Sequence, residues 1–223
     1  VAALDDGGFV VTWQDNSAHS GGSGWDIRAQ VYDASGEKAD SEFLVNSHVG
    51  SSQQEPSVAT LSDGSFVITW GDSSGHSGGS GWDIRAQRFD AEGTAIGDEV
   101  LVNTYTSSTQ YESVVTALAD GGYAITWRDD SGREGSSNYD IRAQLLDADG
   151  NKMGDEILVN NEYTADRQSE PAIAALDDGG FVVTWQSEGE DGSNYGIYAQ
   201  RFGPDGMPTA FSSSIEATAV AGS

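Results

Sequence analysis

Three short patterns in the chain carry residues that could do chemistry. The first is G-G-x-G-x-D, read at Gly21-Gly22-Ser23-Gly24-Trp25-Asp26 and again at Gly78-Gly79-Ser80-Gly81-Trp82-Asp83. It opens a calcium-binding turn that works by stacking consecutive copies so that each ion is held between neighbours. Here the copies stand 57 residues apart, and Arg28 and Arg85 occupy the place of the large apolar residue the turn needs. A third copy softens to Gly135-Ser136-Ser137-Asn138-Tyr139-Asp140, and a fourth puts Gly196 where the aspartate belongs. A stacked roll is excluded, and a glycine-rich loop ending in a carboxylate remains. Calcium takes about six to eight oxygen ligands. The candidate ligands are Asp15, Asp26, Asp72, Asp83, Asp129, Asp130 and Asp140, with solvated acidic turns as the plain alternative.

The same loops place an aromatic beside polar groups. Trp25, Trp82 and Tyr139 precede Asp26, Asp83 and Asp140, and His19 and His76 lie a few residues upstream. A flat apolar surface flanked by hydrogen-bonding groups is a common way to hold a sugar. These eight residues are the candidate ligand site, with Asp72 and Asp15 beside them, and an extracellular glycan or cell-surface ligand is the expected partner. The second pattern, Gly75-His76-Ser77-Gly78-Gly79, reads as G-x-S-x-G. A nucleophile elbow needs a strand, a sharp turn and a helix in a parallel sheet, none of which this sequence offers. The third is Asp-Ile-Arg-Ala-Gln, with Arg28, Arg85 and Arg142. In a chain with 10 basic residues, three equivalent arginines are expected to pair with carboxylates, and Glu55, Glu112 and Glu170 are the expected partners. With no nucleophile or acid–base pair assembled from the loops, the chain is not expected to be an enzyme.

The elements that position these groups follow from a repeat. Trp13, Trp70, Trp127 and Trp185 are spaced 57, 57 and 58 residues apart, and Gln30, Gln87, Gln144 and Gln200 keep nearly the same interval. The phrases DDGGFVVTWQ, SDGSFVITWG, ADGGYAITWR and DDGGFVVTWQ recur, followed by the DIRAQ and LVN phrases. The chain divides into units at about 1–55, 56–112, 113–170 and 171–206, with 207–223 a divergent tail or closing strand. Each unit holds four short strands rich in β-branched and aromatic residues, in the second unit Ser57 to Leu61, Ser65 to Trp70, Asp83 to Phe89 and Glu99 to Asn103. Asp-Gly turns join the first two. A four-stranded antiparallel meander repeated four times predicts an all-β fold, a four-bladed β-propeller. An open array, or two chains completing one larger ring, is the alternative. Strand polarity then puts the tight turns on one face and the long loops, with all three histidines, on the other. The repeated tryptophans are expected to pack between blades.

Composition narrows the function. A net charge of −26 over 223 residues repels phosphate backbones and anionic headgroups, which excludes nucleic acid as a partner. No run is long and apolar enough to insert in a membrane. The absence of cysteine removes disulfides and thiolate chemistry. The chain opens inside a unit without an initiator Met, so a fragment or processed product of a longer parent chain, or an assembly of copies, is expected. The phrases GGFVVTW, DIRAQ and LVN at this spacing resemble tandem repeats of very large secreted bacterial proteins, many with RTX-type calcium-binding segments and some acting as adhesins. The resemblance covers residues 1 to 206 and implies a secreted, calcium-rich setting. The expected function is a calcium-dependent binding or adhesive module, or a structural spacer with no ligand of its own.

Overall fold

The computed structural model describes residues 1–17, 24–76, 78–79, 81–133, 139–161, 167–188 and 195–210. Four antiparallel meanders follow one another. The first is β1 (Ala2–Ala3), β2 (Phe9–Asp15), β3 (Asp26–Tyr32) and β4 (Phe43–Leu44). The second is β5 (Gln53–Thr60), β6 (Phe66–Asp72), β7 (Asp83–Phe89) and β8 (Ala95–Leu101). The third is β9 (Gln110–Ala117), β10 (Tyr123–Asp129), β11 (Asp140–Leu146) and β12 (Lys152–Leu158). The fourth is β13 (Gln168–Ala175), β14 (Phe181–Glu188), β15 (Tyr195–Phe202) and β16 (Pro208–Thr209). Each sheet is a blade of a four-bladed β-propeller. The Asp-Gly turns form as the sequence requires: Gly64 adopts φ 83°, and its amide donates to Leu61 O at 3.0 Å.

Alternation along the strands builds three cores between consecutive sheets. Val10, Ile27 and Ala29 meet Phe66, Ile68 and Trp70 of the next sheet. Val67, Ile84 and Ala86 meet Tyr123, Ile125 and Trp127, and Ala124, Ile141 and Ala143 meet Phe181, Val183 and Trp185. The repeated Trp and the Ile and Ala of DIRAQ are thus opposite halves of one recurring interface. The substantial contacts between sheets join consecutive ones, through pairs such as β5 on β9 and β9 on β13.

The outer strand of the second sheet starts earlier than the sequence suggested, as does that of the third. The expected fourth strand, Glu99 to Asn103, is the second half of β8 plus a buried clip. Asn103 Oδ1 accepts the amide of Ile84 at 2.7 Å, and its Nδ2 donates to Asp83 Oδ1 at 2.8 Å and Gln110 Oε1 at 3.2 Å. Asn46 and Asn160 repeat this with Asp26 and Asp140 at 2.9 and 3.0 Å. This buried, hydrogen-bonded polar triad fixes the register of strands three and four.

The arginines pair within their own sheets rather than with the unit-junction glutamates. Arg28 meets Asp15 and Glu42, both at 3.2 Å. Arg85 meets Asp72 and Glu99 at 3.3 Å, and Arg142 meets Asp129 at 2.7 Å and Glu156 at 3.3 Å. The strand register explains the correction, because Arg85 lies opposite Trp70 and Leu101 inside sheet two, flanked by the carboxylates of β6 and β8.

Candidate active site

A cavity of about 370 Å³ opens between the second and third sheets, lined by Gln54, Glu55, Gly71, Trp82, Thr109, Tyr111 and Asp130. The residues come from the start of β5, the end of β6, the residue before β7, the start of β9 with the residue before it, and the residue after β10, all on the long-loop face. The space exists because Gly71 stands where the other units carry Gln14, Arg128 and Gln186. A Cβ at Gly71 would lie 3.3 Å from the Trp82 ring, so the ring rests on bare backbone there. In the third sheet the equivalent Arg128 closes the position instead. Its guanidinium carbon lies 3.8 Å from the Tyr111 centroid and 4.7 Å from that of Tyr139, and Nη1 reaches Glu112 Oε1 at 2.8 Å. Stacking and the ion pair together fix Tyr111 as a wall of the cavity.

Glu55 owes its place to an unusual backbone. Glu55, Glu112 and Glu170 are the non-glycine residues with positive φ among those described, at 56°, 59° and 54°. Each marks a break in register between the first two strands of its sheet. Such a conformation costs about 1–3 kcal/mol and persists only where its surroundings hold it. The holding contact is a ladder that runs from each sheet to the next. The Glu55 amide donates to Gln14 Oε1 at 3.0 Å, that of Glu112 to Glu55 Oε2 at 3.1 Å, and that of Glu170 to Glu112 Oε2 at 3.3 Å. Bulges recur next to functional sites because they re-aim a side chain, and this one brings the Glu55 carboxylate to the cavity wall.

Partial desolvation, followed by the neighbouring Asp129 charge, pushes the Asp130 carboxyl above the ordinary aspartate range, against the opposing pull of Arg128. Burial also raises Glu112, with the charges of Glu170 and Glu55 adding to it against Arg128 and the hydrogen bond from the Glu170 amide. The Tyr111 hydroxyl is raised by burial and by its hydrogen bond with Tyr139, so it stays protonated. The cavity therefore offers a carboxyl that holds its proton to higher pH than an ordinary aspartate, a second carboxylate from another sheet, and two aromatic walls. That combination can stack on a sugar ring and move a proton to or from an oxygen beside it.

Of the residues singled out in the sequence, Trp82 and Asp130 line this cavity. Asp83 does not join them, because it is buried against Asn103, and Asp26 and Asp140 are held in the same way by Asn46 and Asn160. Asp72 is buried and accepts from Gln53 Nε2 at 2.8 Å and Ser74 Oγ at 2.7 Å besides Arg85. Asp129 accepts from Gln110, Arg142 and Arg133 at 2.9, 2.7 and 3.1 Å, and Asp15 from Arg28 and the Ser17 amide. These carboxylates are engaged by protein donors, and among the described residues no group of three or more His, Asp or Glu is arranged around a common metal position. His76 is exposed and packs against His48 with tilted rings and centroids 4.2 Å apart, and it is not among the residues lining the cavity. Tyr139 packs edge-on to Tyr111 at 6.2 Å and lies under Arg167, while Trp25 is half-buried in the first sheet's equivalent position. His19 lies outside the described residues. Gln54, Glu55, Thr109 and Tyr111 were missed as site residues. The signal was the lone glycine in the fourfold phrase that runs TWQ, TWG, TWR, TWQ.

No protein-family model matches the sequence, and no curated protein matches it. Solved structures do share the fold. An endo-arabinase from Bacteroides thetaiotaomicron superposes with a TM-score of 0.53 at 15% identity, over 97% of this chain and 82% of its own. An α-L-arabinofuranosidase from Fusarium graminearum, in complex with an iminosugar inhibitor, gives 0.57 at 14% identity over 91% and 61%. A protein of unknown function from Dyadobacter fermentans gives 0.63 at 14% identity over 94% and 66%. At these identities the likeness shows the fold, a propeller of a kind that glycoside hydrolases use. It overturns the expectation of an adhesive binding module, or a structural spacer, that is not an enzyme. That expectation also rested on finding no acid–base pair in the loops, whereas Glu55 and Asp130, from two different sheets, line one cavity.

Proposed function

We propose that the chain acts on carbohydrate as a glycoside hydrolase, at the cavity between the second and third sheets. One observation carries the reading: two carboxyl side chains, Glu55 and Asp130, share a cavity walled by Trp82 and Tyr111. Asp130, with its pKa raised by partial desolvation, is the general acid and gives its proton to the leaving glycosidic oxygen as the bond to the anomeric carbon breaks. Glu55, carried by a different sheet, either attacks the anomeric carbon or takes the proton of the water that does. Trp82 stacks on the ring, and Gln54 and Thr109 hydrogen-bond its hydroxyls. The solved arabinase and arabinofuranosidase make arabinose-containing glycans the first substrates to offer.

The test is release of reducing sugar from linear arabinan and arabino-oligosaccharides. Asp130→Asn and Glu55→Gln should each lower kcat/KM by about 100-fold or more, the usual size of an acid–base contribution. Both residues are exposed, and the substitutions should leave the melting temperature in place. Wild-type protein that releases nothing from these and a wider glycan panel would overturn the reading.

A further inference from the structure

The three cores between sheets are copies of one interface, and each half of it is left open at one end of the molecule. Inside the chain the DIRAQ face is covered by the next sheet: Ile27, Ile84 and Ile141 are all 0% exposed. Their equivalent in the fourth sheet, Ile197, is 53% exposed, and Val182 and Ala199 beside it are half-buried. The same face carries a cavity of about 390 Å³ lined by Glu170, Thr184, Trp185, Gln186 and Ile197. The other half is open in the first sheet. Trp70 and Trp127 are 0% exposed and Trp185 is 4% exposed, whereas Trp13 is half-buried, as are Phe9 and Val11 on its face. Phe9 already stacks on Tyr32 at 4.9 Å, as Phe181 stacks on Phe202 at 4.9 Å inside the third core. The first sheet is therefore prepared as the incoming side of a core it does not make. The substantial contacts between described residues of different sheets do not join the fourth sheet to the first.

We propose that the open face of the fourth sheet docks the Trp13 face of a second copy of this chain, head to tail. The occupant is specified by continuity with the three internal interfaces, since Ile197, Ala199 and Val182 present what Ile141, Ala143 and Ala124 present to Trp185. The contact is heterologous: it uses different surfaces on the two copies, and each copy keeps one of each.

The test is molar mass by light scattering across dilution, with Ile197→Asp and Trp13→Glu and with folding checked by circular dichroism. Val11→Glu replaces the latter where Trp13→Glu melts. Wild type should exceed the 23.4 kDa of one chain at high micromolar concentration and fall toward it on dilution. Each variant alone should stay at one chain. Mixed, the two variants should form a one-to-one dimer, because one supplies an intact Trp13 face and the other an intact Ile197 face. Wild type that remains a monomer throughout, an Ile197→Asp variant that associates as wild type does, or a mixture that stays monomeric would each overturn the proposal.

Discussion

Gly71→Gln tests how the cavity arises. The substitution gives the second unit the side chain that the first and fourth carry at Gln14 and Gln186. The backbone at Gly71 is not among the positive-φ positions, so no conformational strain opposes it. Its Cβ meets the Trp82 ring at 3.3 Å, a contact that needs a shift of a few tenths of an ångström from a side chain open to the cavity on its other side. Overpacking costs about 1–3 kcal/mol in a tight core, and a partly open site lies at the low end. Restricting the unfolded chain returns about 0.4–1 kcal/mol. The expected stability change is therefore within about 1 kcal/mol of zero, read from urea denaturation. The amide then occupies the space against Trp82, and kcat/KM on an arabino-oligosaccharide should fall by about 100-fold, close to 2.7 kcal/mol of transition-state stabilisation. A stable variant with undiminished turnover would refute the assignment of this cavity. A variant that loses several kcal/mol would refute the account of why the cavity is there.

Three further outcomes follow from the packing and charges. Trp127→Ala, at a side chain with 0% exposure, should cost about 3–5 kcal/mol in urea denaturation, while Trp13→Ala in dilute solution should cost distinctly less. Arg142→Met should cost about 3 kcal/mol in the same assay, because Asp129 at 0% exposure loses its 2.7 Å partner. The pH dependence has two signs. Burial pushes Asp129 up, but hydrogen bonds from Ser131, Gln110 and Arg133 outweigh it and leave the group lowered from 3.8, so its stabilisation holds above that value and fades as pH falls through the folded value. Asp130 is raised from 3.8, so its protonated form persists further, and kcat/KM should decline as pH rises through the raised value. A rate profile flat on that side would remove Asp130 as the acid.

Much of the architecture was legible because it rests on local chemistry repeated four times. Tryptophans at a constant interval, Asp-Gly turns and alternating strands point to four meanders whose Trp faces pack between sheets, and the cores around Trp70, Trp127 and Trp185 are built that way. The duties of the buried carboxylates were not legible, because Asn103, which donates to Asp83, lies 20 residues away in sequence and meets it only through sheet register. The site was harder still. Glu55 looks like any acidic residue until the register break at its backbone places it at the cavity, and the cavity itself is made by what Gly71 lacks.

The most direct test of the central claim is a crystal structure of the Asp130→Asn variant soaked with an arabino-oligosaccharide. The account predicts a sugar ring stacked on Trp82 between the second and third sheets, with the new side-chain amide at position 130 beside the glycosidic oxygen and the Glu55 carboxylate beside the anomeric carbon. An oligosaccharide bound on another surface, with this cavity filled by solvent, would contradict it.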